Sequence, residues 1–141
     1  NILVQASSLG LSAQSYMAYY GGSKSIKDIA GLERIEGLIW IDVAYDETAE
    51  ATQKLFKRYA SKQGTAPSLP VAIVKSYDRT MIIANALRAC GEDTLCMKKW
   101  LYAMPAYQGV GGLVQFDAEG ELLNPKAAVF QIKSGTGVRI D

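Results

Sequence analysis

Cys90 and Cys96 are the only cysteines in the chain, and their separation limits the chemistry they could perform. The spacing fits neither the Cys-X-X-Cys motif of redox proteins nor half of a zinc site. Two interpretations stay open. Either the pair forms a disulfide between two predicted helices, which contributes roughly 2 kcal/mol in the chain-entropy model and is typical of an oxidising compartment, or both are buried thiols of a reduced protein.

The chain contains no histidine, which removes the commonest general base and the commonest imidazole ligand for metals. Catalytic triads built on Ser-His or Cys-His pairs are excluded, and so are zinc sites that need an imidazole. Carboxylates or a lysine could still support catalysis, but no carboxylate pair has both a partner group and an environment that would shift its pKa. The residues therefore predict a binding protein that is not an enzyme and has no metal site and no cofactor.

Two short segments resemble known ligand loops without meeting their requirements. The acidic run Asp117–Glu121 lacks the EF-hand spacing and has no bidentate Glu at the twelfth position. The segment Gly109–Gly112 is followed neither by Lys-Ser/Thr nor by a predicted helix, both of which a phosphate-binding loop requires. Both segments are predicted to be turns.

The composition is typical of a globular protein, with 141 residues of which 49% are apolar and 21% are charged. This length corresponds to one domain or to a piece of a larger protein. A net charge of +1 provides no electrostatic footprint for nucleic acid or for an anionic membrane surface. No apolar run approaches 18 residues, so the sequence predicts no membrane-spanning helix.

The first third of the chain predicts an alternation of strands and helices, and thus an α/β fold. Ile2–Val4 is predicted to be a strand, with Ser7 and Ser8 in the loop at its carboxyl end, where open α/β sheets place ligand contacts. Ser12–Tyr20 is predicted to be a short helix, and Leu38–Val43 a strand buried on both faces. Three tyrosines share one side of that helix, with packing as the default role and pocket lining as the alternative: Tyr16, Tyr19 and Tyr20.

The remainder predicts three helices and then hairpins. The elements are the helices Asp46–Lys62, Val71–Ala89 and Asp93–Ala103 and the strands Leu113–Phe116, Ala127–Lys133 and Val138–Ile140. Gln63–Pro70, with its two prolines and a glycine, is the clearest linker. The first of these helices carries several basic side chains, and we predict that they lie on a face exposed to solvent: Lys54, Lys57, Arg58 and Lys62.

The chain begins with Asn1, followed at once by apolar residues, without an initiator Met, a basic segment or a cleavage site. We therefore expect any targeting segment to lie outside this sequence, and upstream sequence to be missing. Strands separated from their neighbours leave unpaired edges and apolar faces. These favour a fragment dimer or strand exchange.

Several motifs occur in the order that one known family shows. They are Ile29-Ala30-Gly31 before Ile35-Glu36-Gly37-Leu38, the helix Thr48–Tyr59 with its Pro-containing loop, Ser76-Tyr77-Asp78, Tyr107–Gly112 with Phe116–Glu121, and the hairpin segment Val129–Gly135. The Cys pair also resembles one seen in some bacterial members. Along nearly all 141 residues the chain resembles the C-terminal portion of type I periplasmic solute-binding proteins, the leucine/isoleucine/valine-binding class of ABC transporter receptors.

The resemblance implies three-layer α/β/α pieces of a type I periplasmic-binding-protein fold, incomplete because the N-terminal part is absent. Residues 1–42 would belong to the second lobe of such a receptor, and residues 43–124 to its first lobe. Residues 125–141 would return to the second lobe as a hairpin.

The resemblance also implies ligand contacts. Ser7 would stand at a second-lobe contact with Ser8 beside it, and Ala72 at a first-lobe wall position often filled by an aromatic residue. A serine where amino-acid binders often have an acid weakens the case for ammonium recognition. Arg79, where the family usually has Ala, and Lys75 are departures that would alter a helix surface or the approach to the cleft.

The function that the resemblance implies is that of an ABC transporter substrate-binding receptor in the periplasm or outside the cell. It would capture a small solute, with a branched-chain or other small amino acid as the best guess, in a cleft between two lobes. The closed form would dock on a membrane permease. The alternative is a ligand-sensing domain of the same fold in a signalling or regulatory protein.

Overall fold

The computed structural model describes residues 2–123 and 125–141. Asn1, where the sequence predicts the chain to begin inside a strand, and Asn124, the last residue of the predicted first-lobe part, lie outside the described residues. The chain forms two compact units. Unit 1 combines the residues up to Ala44 with Ala127–Asp141, and unit 2 is Tyr45–Lys126. The assignment of segments to lobes stays a prediction.

The described residues contain both helices and strands, as expected for an α/β protein. In chain order they are α1 (Ile2–Ser8), β1 (Tyr16–Met17), α2 (Lys24–Ala30), α3 (Leu32–Ile35), β2 (Ile39–Val43), α4 (Glu50–Gln63), α5 (Pro70–Cys90), α6 (Thr94–Ala103), β3 (Tyr107–Gly109), β4 (Gly112–Val114), β5 (Ala127–Lys133) and β6 (Thr136–Arg139).

Unit 1 is built on a four-stranded sheet with the order β1-β2-β5-β6. β1 runs parallel to β2, whereas β2 with β5 and β5 with β6 are antiparallel. The predicted closing hairpin is confirmed. Its turn is held by Glu36, whose carboxylate accepts hydrogen bonds from the backbone N–H groups of Ser134 (2.8 Å) and Gly135 (3.2 Å).

Trp40 organises the core of unit 1. Its ring stacks on Phe130 of the neighbouring strand, with centroids 5.2 Å apart and an angle of 16° between the planes. Three glycines border the indole, and a Cβ at Gly21 or Gly137 would lie 2.7 Å from it. The buried core cluster consists of Ala30, Ile35, Leu38, Trp40 and Ile132.

The prediction that β2 is buried on both faces is wrong. Trp40 and Asp42 point to the buried face, whereas Ile41 between them is half exposed. Successive side chains of a strand point to opposite faces, so a sheet with one covered face produces this alternation even in an apolar run.

The predicted strand Ile2–Val4 is wrong, because these residues begin α1. A short apolar run does not distinguish a strand from a buried helical turn. The burial pattern distinguishes the two, because Leu3 and Ala6 are partly buried at helical spacing while Ile2 and Gln5 are exposed. Leu3 packs against the core cluster of unit 1, and this contact favours the helix.

The predicted helix Ser12–Tyr20 is also wrong. The chain is extended there because it pairs with the start of β2: the N–H of Ile39 donates to the carbonyl of Ser15 (3.0 Å), and the Gln14 side-chain amide donates to the carbonyl of Gly37 (2.7 Å). Gly21 and Gly22, which follow this segment, allow the backbone to approach Trp40. Tertiary pairing overrides local propensity in this segment.

Unit 2 contains the three predicted helices, but α4 begins at Glu50 and not at the predicted Asp46, whose carboxylate instead accepts from the N–H groups of Thr48 and Ala49 in the preceding turn. Pro70 occupies the first turn of α5, where its missing N–H costs no helical hydrogen bond. Of the two candidate caps of α6, Asp93 and Thr94, the structure selects Asp93, whose carboxylate accepts from the N–H groups of Leu95 (2.9 Å) and Cys96 (3.0 Å). Between α5 and α6, Cys90 and Cys96 form a disulfide with Cα atoms 5.6 Å apart. The disulfide alternative is thus the one observed.

A threonine occupies the buried position of α4. Ala51 is exposed, whereas the next residue, Thr52, has 0% exposure. Among the described residues, the Thr52 hydroxyl is the buried side-chain oxygen that has no hydrogen-bond partner. A buried hydroxyl without a partner costs free energy that an apolar isostere does not.

We therefore expect Thr52→Val to raise the free energy of unfolding by about 1 kcal/mol, measured by urea denaturation. Thr48→Val is the matched control, because the Thr48 hydroxyl donates to Asp46 (2.7 Å) and its loss should lower stability slightly. A marked loss of stability in Thr52→Val would contradict the conclusion that the Thr52 hydroxyl has no hydrogen-bond partner.

Asp78 on α5 anchors the β3–β4 hairpin of unit 2. The residue is 2% exposed, and its two carboxylate oxygens accept from the N–H groups of Val110 (2.8 Å) and Gly111 (2.7 Å). A Cβ at Gly109 would lie 2.5 Å from the carboxylate, so the turn needs glycine where it meets the acid. The turn predicted at Gly109–Gly112 is confirmed, and this acid sets its position.

Asp78→Ala should lower the free energy of unfolding by about 3 kcal/mol, because two buried N–H groups would lose a charged acceptor. The control is Glu50→Ala, which removes an exposed ion pair with Lys54 and should change stability by less than about 0.5 kcal/mol. Equal effects of the two substitutions in urea denaturation would refute the anchoring role.

Candidate functional site

The parallel pair β1 and β2 defines one edge of the unit 1 sheet where a ligand could bind. Tyr16 pairs with Ile39 and Met17 with Trp40, so both strands end at the same edge. Ligands of open α/β sheets bind outside the carboxyl ends of parallel strands. Here the segment after β1 meets Asp42 of β2. We call Ala18, Tyr19, Tyr20 and Asp42 the strand-end site.

Asp42 is the charged group of the strand-end site. It is 7% exposed, and its Oδ1 accepts from the N–H of Val43 at 2.8 Å. Its Oδ2 accepts from the N–H of Tyr20 at 3.4 Å, a long distance for a bond to a carboxylate. None of the three ion pairs found among residues 2–123 and 125–141 includes Asp42. This carboxylate therefore keeps capacity to accept further hydrogen bonds.

The segment whose Tyr20 N–H reaches this carboxylate carries two exposed aromatic rings, those of Tyr19 and Tyr20. Their side chains are 57% and 47% exposed, with ring centroids 6.2 Å apart and planes at 48°. Tyr20 has a φ of 61°, in the left-handed region that bulky residues rarely adopt. Its carbonyl accepts from the N–H of Ser23 (2.9 Å), so both of its peptide groups are held in place. Such backbone outliers cluster at ligand-binding positions.

The predicted ligand contacts Ser7 and Ser8 lie elsewhere in unit 1. Both are exposed at the end of α1, and the Ser8 hydroxyl donates to the carbonyl of Gln5 (2.8 Å). Ser7 lines a hollow of 510 Å³ together with Ser15 and Leu38, which directly precede β1 and β2. The hollow is therefore at the amino ends of these strands, opposite the strand-end site.

Ala72, the third predicted contact, lies in the first turn of α5 and is partly buried. It belongs to unit 2, whereas Ser7 and Ser8 belong to unit 1. The structure brings the two serines together on one helix, and the ligand role of all three residues stays a prediction.

Asp42 is not among the site residues that the sequence predicts. The available signal was an acid inside the apolar run Ile39–Val43, because Asp is almost never fully buried without a partner. For Tyr19 and Tyr20 the sequence predicts packing on a helix as the default and pocket lining as the alternative, and the structure shows no helix there. Ser7 and Ser8 are predicted from a strand at Ile2–Val4, which is helical in the structure.

An apolar groove of 620 Å³ also lies in unit 1, between α1 and α2. Most of its wall is aliphatic, with Ile2, Leu3, Ile26 and Ile29 among the lining residues. No charged side chain lines it, so it lacks the polar anchors that orient a small polar ligand. The strand-end site has such an anchor and is the better candidate.

Unit 2 contains a second group of titratable side chains, formed by Lys75, Asp78 and Tyr107. Burial lowers the pKa of Lys75, while the Asp78 carboxylate opposes that shift and Arg79 adds to it. Burial, and then the charge of Asp78, raise the pKa of Tyr107. Because both oxygens of Asp78 accept hydrogen bonds from the hairpin, we interpret this group of side chains as stabilising the fold.

Two further observations concern the described part of the chain. No set of three or more His, Cys, Asp or Glu side chains there is arranged to hold a metal ion. None of the helices there combines the length and apolar character needed to cross a membrane.

The sequence model of one protein family, described as periplasmic binding protein, matches residues 1–137. The chain belongs to the periplasmic binding protein family. The predicted family is thereby confirmed, and the family is one of binding proteins. The search of curated proteins found no match.

Solved structures share the fold of this family member. A leucine binding protein, LivK, from Thermotoga maritima is 22% identical, with a TM-score of 0.75 over 99% of this chain and 40% of its own. LivJ from Streptococcus pneumoniae, in complex with isoleucine, is 19% identical and has a TM-score of 0.76. The match covers 99% of this chain and 41% of LivJ. A solute binding protein from R. palustris, in complex with benzoate, is 16% identical and has a TM-score of 0.69. The match covers 99% of this chain and 38% of that protein.

The chain thus spans about 40% of the length of these relatives. The predicted fold class, an incomplete type I periplasmic-binding-protein fold, is confirmed by this likeness. At such low identity the likeness concerns the fold, and it leaves the ligand open.

The partly buried Lys75 leads to a prediction about pH. Its pKa in the folded state lies below the ordinary value near 10.5, so burying the charged amine destabilises the fold at neutral pH. That cost disappears as the pH rises to 10.5, where the unfolded chain also loses the proton. Lys75→Met should therefore raise the free energy of unfolding at pH 7, by a margin that shrinks toward pH 10.

Lys57→Met, at an exposed position of α4, is the control and should bring no such gain. Urea denaturation of both variants between pH 7 and pH 10 provides the measurement. If the gain in the free energy of unfolding of Lys75→Met increased with pH, the predicted direction of the pH dependence would be wrong.

Proposed function

We propose that this chain is part of a substrate-binding receptor of an ABC transporter, which captures a small solute reversibly and performs no chemistry on it. The observation that carries the proposal is the shared fold: 99% of the chain superposes on transport receptors that include a leucine binding protein and an isoleucine complex. The strand-end site supports it, because it combines one charged anchor with exposed aromatic surface.

A branched-chain or another small amino acid is the best single ligand on this proposal. The complete receptor would enclose it in a cleft between two lobes that close by hinge motion. Residues 1–42 and 125–141 would contribute to the second lobe, and residues 43–124 to the first. Ser7, Ser8 and Ala72 are proposed contacts independently of the strand-end site, since Ser7 and Ser8 lie at the opposite edge of the unit 1 sheet and Ala72 belongs to unit 2. The benzoate complex of one relative is a reason to include carboxylates without an amine in any ligand test.

The receptor would act in the periplasm or outside the cell and deliver its solute to a membrane permease. The disulfide between Cys90 and Cys96 supports this location, because disulfides persist in oxidising compartments. It also argues against a cytoplasmic sensor. The comparisons give the predicted fragment dimer no support, and it is not part of the proposal.

A thermal-shift panel of amino acids, small carboxylates and amides on the full-length gene product tests the proposal. A specific ligand at 100 times its Kd adds about 2.7 kcal/mol to the folded state. We expect one amino acid to raise the melting temperature by at least about 2 °C.

If every amino acid and small carboxylate leaves the melting temperature unchanged, the transport proposal fails and the sensory alternative with another ligand gains weight. Conversion of a ligand into product during the assay would revive the enzyme interpretation that the absence of histidine argues against.

A further inference from the structure

Unit 2 contains a small hollow that the proposed function does not use. It measures 240 Å³ and lies between α5, α6 and the turn that follows β4. We call it the α5–α6 hollow and define it by its lining residues: Arg79, Ile83, Leu101, Tyr102, Phe116 and Gly120. Pockets for drug-sized ligands are larger, so this hollow suits a molecule of few atoms.

The turn that forms one wall of the α5–α6 hollow has a defined structure. Phe116 and Leu122 form an antiparallel bridge across it. Gly120 has a φ of 88°, and a Cβ at this position would lie 3.0 Å from the hydroxyl oxygen of Tyr102. Glycine therefore allows the turn to approach the tyrosine ring, and the fold itself builds this wall.

The α5–α6 hollow leaves apolar surface in contact with solvent. Ile83 is 44% exposed and Tyr102 is 42% exposed, while Leu101 and Phe116 beside them are partly buried. Removing such surface from water is favourable. The hollow therefore favours an apolar or aromatic group that covers these side chains.

Arg79 gives the α5–α6 hollow a positive charge. None of the three ion pairs found among residues 2–123 and 125–141 includes it. An acid three or four positions away on the helix could reach it, but those positions hold other residue types: Lys75, Ser76, Ile82 and Ile83. The adjacent Asp78 uses both of its oxygens for the β3–β4 hairpin. The guanidinium therefore keeps donors for a bound acceptor.

Tyr102 supplies a second donor in the same hollow. Its hydroxyl oxygen lies 3.5 Å from the carbonyl oxygen of Glu119, a long distance for a hydrogen bond. A carboxylate would accept a shorter and stronger bond, because it is charged. The Lys98 ammonium, 5.7 Å from the centroid of the Tyr102 ring, adds positive charge, and none of the residues that line the hollow is acidic.

We propose that the α5–α6 hollow binds a small free carboxylic acid with an apolar or aromatic body. Arg79 and Tyr102 would hold the two carboxylate oxygens, and the body would cover Ile83 and Phe116. One guanidinium and one hydroxyl match the single charge and the two oxygens of a carboxylate. The hollow belongs to unit 2 and the strand-end site to unit 1, so this second site goes beyond the proposed function and does not rest on it.

The test is isothermal titration of the full-length gene product with phenylacetate and three matched probes. 2-Phenylethanol lacks the charge, 2-phenylethylamine reverses it, and acetate lacks the ring. Any solute found in the thermal-shift panel is present at saturation, so that the cleft is occupied. We expect phenylacetate to bind at least about tenfold more tightly than each of the other three, because it alone combines the charge with the ring.

Arg79→Met should weaken phenylacetate binding by about tenfold to a hundredfold, because charge-assisted hydrogen bonds are lost. Arg79→Lys should have a smaller effect, since it keeps the charge but not the paired donors. Tyr102→Phe should weaken binding by about twofold to tenfold, the effect of one neutral donor. Arg88→Met is the matched control, because Arg88 also lies on α5 but donates to Asn85 (2.9 Å) outside the hollow. It should change nothing.

Three results would overturn the inference: no binding of phenylacetate at millimolar concentration, equally tight binding of 2-phenylethanol, or equal effects of Arg79→Met and Arg88→Met. Tighter binding of N-acetylphenylalanine than of phenylacetate would indicate the C-terminus of a partner protein and would overturn the free acid as occupant. The receptor proposal is tested separately by the thermal-shift panel. The probe comparison on the natural protein and Arg79→Lys keep the test valid if Arg79→Met fails to fold.

Discussion

The pairing of β2 with β5 is the constraint on which unit 1 depends. Ile39–Val43 pairs with Ala127–Lys133, although all of unit 2 lies between them in the sequence. The stacked rings of Trp40 and Phe130 join the two strands. Because glycines border the indole, the chain after β1 can pass close to it and reach the end of β2. The strand-end site is a consequence of this packing.

Two buried acids illustrate how similar burial serves different purposes. Each oxygen of Asp78 accepts one short hydrogen bond from the β3–β4 hairpin, whose turn needs glycine beside the carboxylate, so Asp78 contributes to stability. Asp42 has a similar degree of burial, but only one of its two hydrogen bonds is short, at 2.8 Å, and the other is 3.4 Å long. The difference between the two acids lies in the length of that second hydrogen bond, because a longer bond is weaker.

The accuracy of the sequence predictions follows the range of the interactions involved. The helices of unit 2 were predictable because their signals are local: proline in the first turn of α5, Gly64 after α4, and Asp93 as the cap of α6. The segments before β2 were not predictable in this way. Leu3 and the residues around Ser15 take their structure from contacts with the core and with β2, and no short window of sequence contains both partners.

By itself, the sequence determined the α/β class, the family and the absence of histidine-based chemistry, because these follow from composition and from the order of motifs along the chain. It also determined the existence of α4, α5 and α6, because the signals that begin and end a helix are local. Only the tertiary structure decided that Cys90 and Cys96 are joined and that Ile2–Ser8 is helical. It also decided that Asp42 meets Tyr20. The physical reason is that burial and pairing depend on residues far apart in the chain, which only the folded backbone brings together.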